Sequence, residues 1–245
     1  MKVRDIFDFL NHISPFEKQE SWDNSGLQIG RLDSEVKKIA LSLEADLEVV
    51  EKLDANTLLI THHPLIFRSL KQLDLSHYPA KIIEGLVKKD ITLISMHTNF
   101  DLTHLNLFLT SEILGFGCVD QENGICYAKL EDPMNLEELS SYVKTKLGVK
   151  DIKGVDCKKE ISEIAVVCGA GFSLFTSLKK YQNLCFLTGD IKYHEAMLAK
   201  AMGVNLLDIG HYESERHFAE VLQRILQKNG YEAIIINSKN PFQIL

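Results

Sequence analysis

The spacing of apolar positions divides the chain into helical and extended stretches. Ile6, Phe7, Phe9, Leu10 and Ile13 recur at helical spacing, which predicts an amphipathic helix over 4–13 with one buried face, stopped at Pro15. A polar turn follows at 22–28 around the single Trp, read as an ordinary loop with a buried anchor. Short Leu- and Ile-rich runs then alternate with helical patterns. Strands are predicted at 39–43, 57–61 and 91–95, and helices at 47–53, 80–89 and 104–114. Such alternation predicts a largely parallel sheet covered by helices.

The pattern breaks into Gly, Asp, Gln and Asn over 115–123, which places the boundary between a first domain, 1–122, and a second, 123–245. The second series has strands at 127–130, 164–168, 184–187, 205–209 and 233–236, with helices at 136–147, 172–181, 193–202 and 214–228. Asn135, with Glu138 three residues on, predicts a capping box for the 136–147 helix. Residues 150–160 are charged and read as loop or edge strand. The expected fold is α/β: two layered domains of related topology, each with a largely parallel or mixed sheet flanked by helices.

Composition narrows the classes. A chain of 245 residues, 45% hydrophobic and 25% charged, can bury a full core in each of two soluble domains. A net charge of -7 gives no basic footprint and argues against nucleic acid as a partner. Cys118, Cys126, Cys157, Cys168 and Cys185 are odd in number and lack C-x-x-C spacing. Neither a disulfide framework nor a zinc ribbon is expected, and reduced thiols in the cytoplasm fit best. The opening Met1-Lys2-Val3-Arg4-Asp5 reaches acidic residues before any long apolar core, and no 18 apolar residues run together. No export signal and no membrane span are expected.

Chemistry-bearing residues gather just past strand ends, where α/β sheets collect ligands. Thr61-His62-His63-Pro64 closes the 57–61 strand, His97 and Asp101 follow 91–95, and His211 and Glu215 follow 205–209. These three ends are expected to converge on one edge. His97/Asp101 or His211/Glu215 alone is more simply a hydrogen-bonded or ion-paired structural element, and His62/His63 alone is as readily a surface loop, but the recurrence points to metal. His62 and His63 stand in an irregular segment, so both reach one site or one sits behind the other. On a helix, the four-residue spacing within the other two pairs puts both side chains on one face. Six mixed nitrogen and oxygen donors exceed what one four-coordinate ion with an open position uses. Two divalent ions per subunit are expected, with Asp101 or Glu215 as a bridge. Donors without thiolate suit Zn, Fe, Mn, Co or Ni.

Gly169-Ala170-Gly171 reads as a tight strand-to-helix turn rather than a phosphate cradle, because it lacks the full G-x-G-x-x-G pattern. Thr188-Gly189-Asp190, with His194 four residues on, lines the same cleft or caps the helix near Tyr193. His12, His77, His104 and His217 have no such setting and are expected at the surface or in packing.

Trp22-Asp23-Asn24-Ser25-Gly26-Leu27-Gln28-Ile29-Gly30, Thr61-His62-His63-Pro64, His97-Thr98-Asn99-Phe100-Asp101, Thr188-Gly189-Asp190 and Gly210-His211-Tyr212-Glu213-Ser214-Glu215 span nearly the whole chain. In this order they resemble the GTP cyclohydrolase 1 type 2 family, also called NIF-three-like. The resemblance implies a two-domain α/β subunit in a homohexameric ring, with a dinuclear metal centre facing the ring interior. It implies His62, His63, Asp101, His211 and Glu215 as metal ligands, and His97 as a further ligand or an adjacent catalytic proton shuttle. Phe100 stands where the family usually has Leu, and Ser25 where Val or Ala is common; neither belongs to the ligand set. The implied activity opens the imidazole ring of GTP with water, releases formate and rearranges the product to 7,8-dihydroneopterin triphosphate. No guanine pocket is legible. A two-metal hydrolase of another phosphorylated substrate, or a non-enzymatic metal-binding scaffold or regulator, would use the same residues.

Overall fold

The computed structural model describes residues 1–179 and 183–243. Its strands are β1 (Gly26–Ile29), β2 (Lys38–Ser42), β3 (Thr57–Thr61), β4 (Thr92–Ser95), β5 (Cys118–Glu122), β6 (Ile125–Met134), β7 (Lys153–Val155), β8 (Ile161–Val166), β9 (Leu184–Thr188), β10 (Asn205–Asp208) and β11 (Ala233–Ile235). They form two mixed sheets flanked by helices, as the α/β pattern predicts. The chain divides into two compact units, Met1–Phe100 with Phe218–Leu245, and Asp101–His217. This division differs from the single boundary expected at 122/123. The reason lies in β11, expected in the second series, which instead pairs in parallel with β2 through Ala233↔Ile39 and Ile235↔Leu41.

In the first unit the strand order is β1-β4-β3-β2-β11. β1 runs antiparallel to β4, and the remaining pairs are parallel. All of β3 is buried, as a strand covered on both faces must be. Ala40, Leu59 and Leu93 pack against Val49, Val50 and Leu86 of helices Leu47–Lys52 and Ala80–Lys88. Asp46 starts the former helix by accepting from Val49 N at 2.7 Å. Helix Val3–Ile13 buries Val3, Ile6 and Leu10. The 22–28 turn departs from expectation: Trp22 is exposed rather than a buried anchor, and Gly26 already belongs to β1. For function, the decisive feature is the parallel register Thr61↔Ser95, which sets the carboxyl ends of β3 and β4 side by side.

In the second unit the order is β5-β6-β8-β9-β10-β7. β8, β9 and β10 are mutually parallel and the flanking pairs antiparallel. The stretch expected to be a boundary loop supplies β5, joined to β6 through Asn123 (φ 50) and Gly124 (φ 79). Two left-handed residues there match the twist a two-residue hairpin needs. Cys118 and Cys126 sit on opposite strands of this hairpin and are disulfide-bonded, with Cα atoms 6.3 Å apart. That corrects the expectation of reduced thiols for these two, while Cys157, Cys168 and Cys185 are free. Within the charged 150–160 segment, Lys153–Val155 is the edge strand β7 rather than loop. Helix Leu136–Leu147 carries the capping box of Asn135 and Glu138 and ends on left-handed Gly148.

Three helices differ from their expected bounds by more than a residue. Helical structure begins at Thr98 rather than 104 and continues through π-helical Asp101–Leu105, Asn106–Phe108 and π-helical Leu109–Ile113. The 172–181 helix is a 3-10 helix, Gly171–Ser177; its expected last residues, 180–181, lie outside the described residues. The 214–228 helix is two, His211–Glu215 and Phe218–Lys228, separated where the chain changes unit. Among the described residues no helix is long and apolar enough to cross a membrane.

Candidate metal centre

Where β3 ends, the chain turns without abandoning its backbone hydrogen bonds. His62 N and His63 N donate to Ser42 O at 3.3 Å and Leu43 O at 3.1 Å. The hydroxyls of Thr61 and Ser95 both donate to His63 O, at 2.9 and 3.3 Å. Pro64 further restricts His63 to extended conformations. His97 leaves the neighbouring strand β4, so His62, His63 and His97 each place a ring nitrogen within 4.8 Å of the other two.

Each of these rings is oriented from behind. His62 Nδ1 lies 2.9 Å from Met96 O, His63 Nδ1 2.5 Å from Glu44 Oε1, and His97 Nδ1 2.8 Å from Asp23 Oδ1. Carbonyl and carboxylate oxygens accept, so Nδ1 is the donor, and whenever the ring is neutral its lone pair falls on Nε2. This is how metal-binding imidazoles are held. The three acceptors differ in exposure: the Asp23 side chain is fully buried, whereas that of Glu44 is 43% exposed. Asp23 also accepts from Asn24 N at 2.7 Å, Ser25 Oγ at 3.1 Å, Thr98 N at 3.1 Å and Thr98 Oγ1 at 2.5 Å. Burial raises its pKa, but the His97 hydrogen bond and charge, with the Thr98 and Asn24 bonds, outweigh burial. Together they hold the carboxyl well below the usual range.

In the second unit the parallel ends of β8, β9 and β10 lead into Cys168-Gly169, Gly189-Asp190 and Gly210-His211. His211 Nδ1 lies 2.7 Å from Asp190 Oδ2, and His211 Nε2 lies 3.0 Å from Glu215 Oε2 one helical turn on. That second pair presents a nitrogen and an oxygen donor together to any cation. Glycine makes the room. Gly169 has φ +58, and a Cβ there would overlap Glu215 Oε1; a Cβ on Gly189 would come within 2.7 Å of His211 N. The N–H groups of Gly169 and Gly171 are taken by Ser214 Oγ at 3.0 Å and Thr188 Oγ1 at 2.8 Å. The Gly169-Ala170-Gly171 turn is thus no phosphate cradle. Asp101 opens a π-helical stretch, a distortion common at functional positions. Burial pushes the Cys168 thiol well up, and the Asp101 and Glu215 carboxylates push it further.

The three strand ends therefore occupy two sheets rather than one edge: β3 and β4 in the first, β10 in the second. Within the second unit, Asp190 lies against His211, while His194 is exposed on helix Tyr193–Met202. His12 and His77 are exposed, and His104 and His217 partly buried. Asp23 and Glu44, which orient His97 and His63, are not among the residues singled out from the sequence. Glu44 carried a usable signal, a carboxylate two residues beyond a strand end; the partner of Asp23 is 74 residues away, and nothing local announces it.

Fold and site together define a two-unit α/β protein whose strand ends carry imidazole and carboxylate clusters able to bind a metal ion. The chain belongs to the Duf34/NIF3 (NGG1p interacting factor 3) family, whose pattern it matches over residues 1–241. It is 45% identical over 244 residues, 99% of each chain, to a Campylobacter jejuni protein named GTP cyclohydrolase 1 type 2 homolog. It is 44% identical over 244 residues, again 99% of each chain, to a Helicobacter pylori protein named GTP cyclohydrolase 1 type 2. Among solved structures, a Staphylococcus aureus hypothetical protein superposes with a TM-score of 0.86 at 28% identity, covering 100% of this chain and 99% of the other.

Proposed function

We propose that the chain holds two divalent cations through His62, His63, Asp101, His211 and Glu215 and hydrolyses GTP to 7,8-dihydroneopterin triphosphate and formate. The observation that carries this reading is the common orientation of four imidazoles. His62, His63, His97 and His211 each have Nδ1 on an oxygen acceptor. The path of the chain adds support. The passage from first to second unit at 100/101 falls between His97 and Asp101, and the return at 217/218 comes just after Glu215, so both crossings run through donor motifs. The names of the Helicobacter and Campylobacter relatives supply the substrate.

Nitrogen and oxygen donors of this kind suit Zn, Fe, Mn, Co or Ni. Bound there, such ions would lower the pKa of water and stabilise developing negative charge. The chain's own part is proton handling and orientation. His97 takes a proton at Nε2 and returns it to the leaving group, while the buried Asp23 carboxylate stabilises the imidazolium formed in between. Glu44, Met96 O and Asp190 keep the other rings in the required tautomer and plane. A cytoplasmic ring of six copies, implied by the resemblance, belongs to the same proposal, and light scattering checks it.

The test is to reconstitute the full chain with each candidate metal, count bound ions, add GTP, and follow formate and pterin fluorescence after oxidation, with His63→Ala as the blank. Metal-dependent product that disappears in His63→Ala supports the reading. Two bound equivalents without product reject GTP and leave another phosphorylated substrate or a non-catalytic binding role.

A further inference from the structure

Two large aromatic side chains of the first unit stand open beside its histidines. Trp22 is 55% and Phe67 40% exposed. Their ring centroids are 5.8 Å apart at an interplanar angle of 57°. Each also meets His97 edge-on, Trp22 at 6.0 Å and 75° and Phe67 at 6.1 Å and 74°. His97 is thus the inner edge of an aromatic corner whose other two rings face solvent.

Hydrogen bonds between the supporting loops, rather than burial of the rings, fix this corner. Asn24 Nδ2 donates to Ile66 O at 2.6 Å, Ile66 N donates to Gln28 Oε1 at 3.2 Å, and Gln28 Nε2 donates to Asn24 O. Asp23, next to Trp22, is anchored on His97 and Thr98. These loops have therefore lost their freedom before any ligand arrives, and the apolar faces they hold in place remain partly open to solvent. A preformed apolar surface bordered by a few fixed polar groups is the usual construction of a small-molecule site. Its neighbour is the imidazole cluster, so a flat ligand lying on it brings a ring edge to His97.

We propose that Trp22 and Phe67 form the stacking surface for a planar heteroaromatic ring of purine or pterin size, and that this surface presents the ring's reacting edge to His97. The proposal rests on the reading above for the chemistry at His97, but not for the identity of the ring, since every such ring has a π-face.

Trp22 is the only Trp in the chain, so its fluorescence reports this corner without any need for turnover. Zinc-loaded full-length protein is titrated with guanosine, GTP and tripolyphosphate, with correction for absorption. We expect saturable quenching by guanosine and GTP and none by tripolyphosphate. In Phe67→Leu the affinity for guanosine should fall about ten-fold, with Phe67→Tyr retaining it and both variants melting with the parent. Quenching that ignores the ring, or unchanged affinity in Phe67→Leu, overturns the proposal. If guanosine binds here as expected but GTP is not consumed, the substrate reading falls and the stacking surface stands. If GTP is consumed with an unchanged KM in Phe67→Leu, the stacking surface falls and the substrate reading stands.

Discussion

The first unit offers three nitrogens, from His62, His63 and His97, whereas the second offers one, from His211, beside the carboxylates of Asp101 and Glu215. Their means of orientation differ accordingly. A neutral imidazole binds a cation only in the right tautomer, and the first unit sets that tautomer with an oxygen behind every ring. A carboxylate has no tautomer to choose but needs space and a fixed direction. The second unit provides these by subtraction, with Gly169 leaving room for Glu215 and Gly189 leaving room for the His211 backbone. The nitrogen-rich first unit should therefore respond in graded fashion to loss of a distant acceptor, and the oxygen-rich second unit should fail abruptly when an atom is added.

The largest effect is expected from Glu215→Gln, which keeps the volume of a residue only 2% exposed but removes its charge. Turnover should fall to the level of the His63→Ala blank and metal content should drop, with the circular dichroism unchanged. Undiminished metal content would remove Glu215 from the proposed donor set. Gly169→Ala comes next. A left-handed backbone costs an L-residue roughly 1–2 kcal/mol, and here the new methyl also displaces Glu215. Metal analysis and urea unfolding should show reduced binding together with reduced stability. Normal metal content in this variant would break the contrast between the two units.

Asp23→Asn should reduce metal affinity or turnover about 10–100-fold, with little change in the fold. Asp23 also makes a pH prediction. Its folded pKa is depressed, so its contribution to stability is present above the ordinary Asp value near 4 and is lost as pH falls through the lower folded value. Urea midpoints measured on acidification should therefore decline less steeply in Asp23→Asn than in the parent. The smallest effect belongs to Glu44→Gln, because an acceptor 43% exposed is readily replaced by water. A change of at most about ten-fold is expected. A loss equal to that of Asp23→Asn would show that burial of the acceptor does not matter.

Much of this architecture is written locally. β3 occupies the residues its apolar run predicts, Thr57–Thr61, and helix Leu136–Leu147 begins at the predicted capping box. Asn123-Gly124 was a legible hairpin signal as well, but flanking charge in 118–122 disguised the first strand, whose residues are mostly exposed. What local pattern does not contain is partnership over distance. Ala233–Ile235 reads as a strand from its own residues, yet nothing in it says that β2, nearly the length of the chain away, is its neighbour. The candidate donor residues are readable because each follows a strand end. Their orienting partners were not, because a buried aspartate in a turn looks like any turn aspartate until the opposite loop is folded against it.

The first unit is discontinuous in sequence, and this sets an order of events during translation. β1 to β4, with His62, His63 and His97, leave the ribosome first, but the edge strand that completes their sheet is made only after the whole of Asp101–His217. The second unit is contiguous and can close while the first still lacks β11 and helix Phe218–Lys228. That helix brings Phe218, whose ring centroid lies 5.0 Å from that of His62. The nitrogen-rich cluster, although synthesised before the second unit, therefore acquires its final surroundings only after that unit has been made. A nascent chain stalled before residue 218 would expose its histidines without the aromatic ring that packs on them.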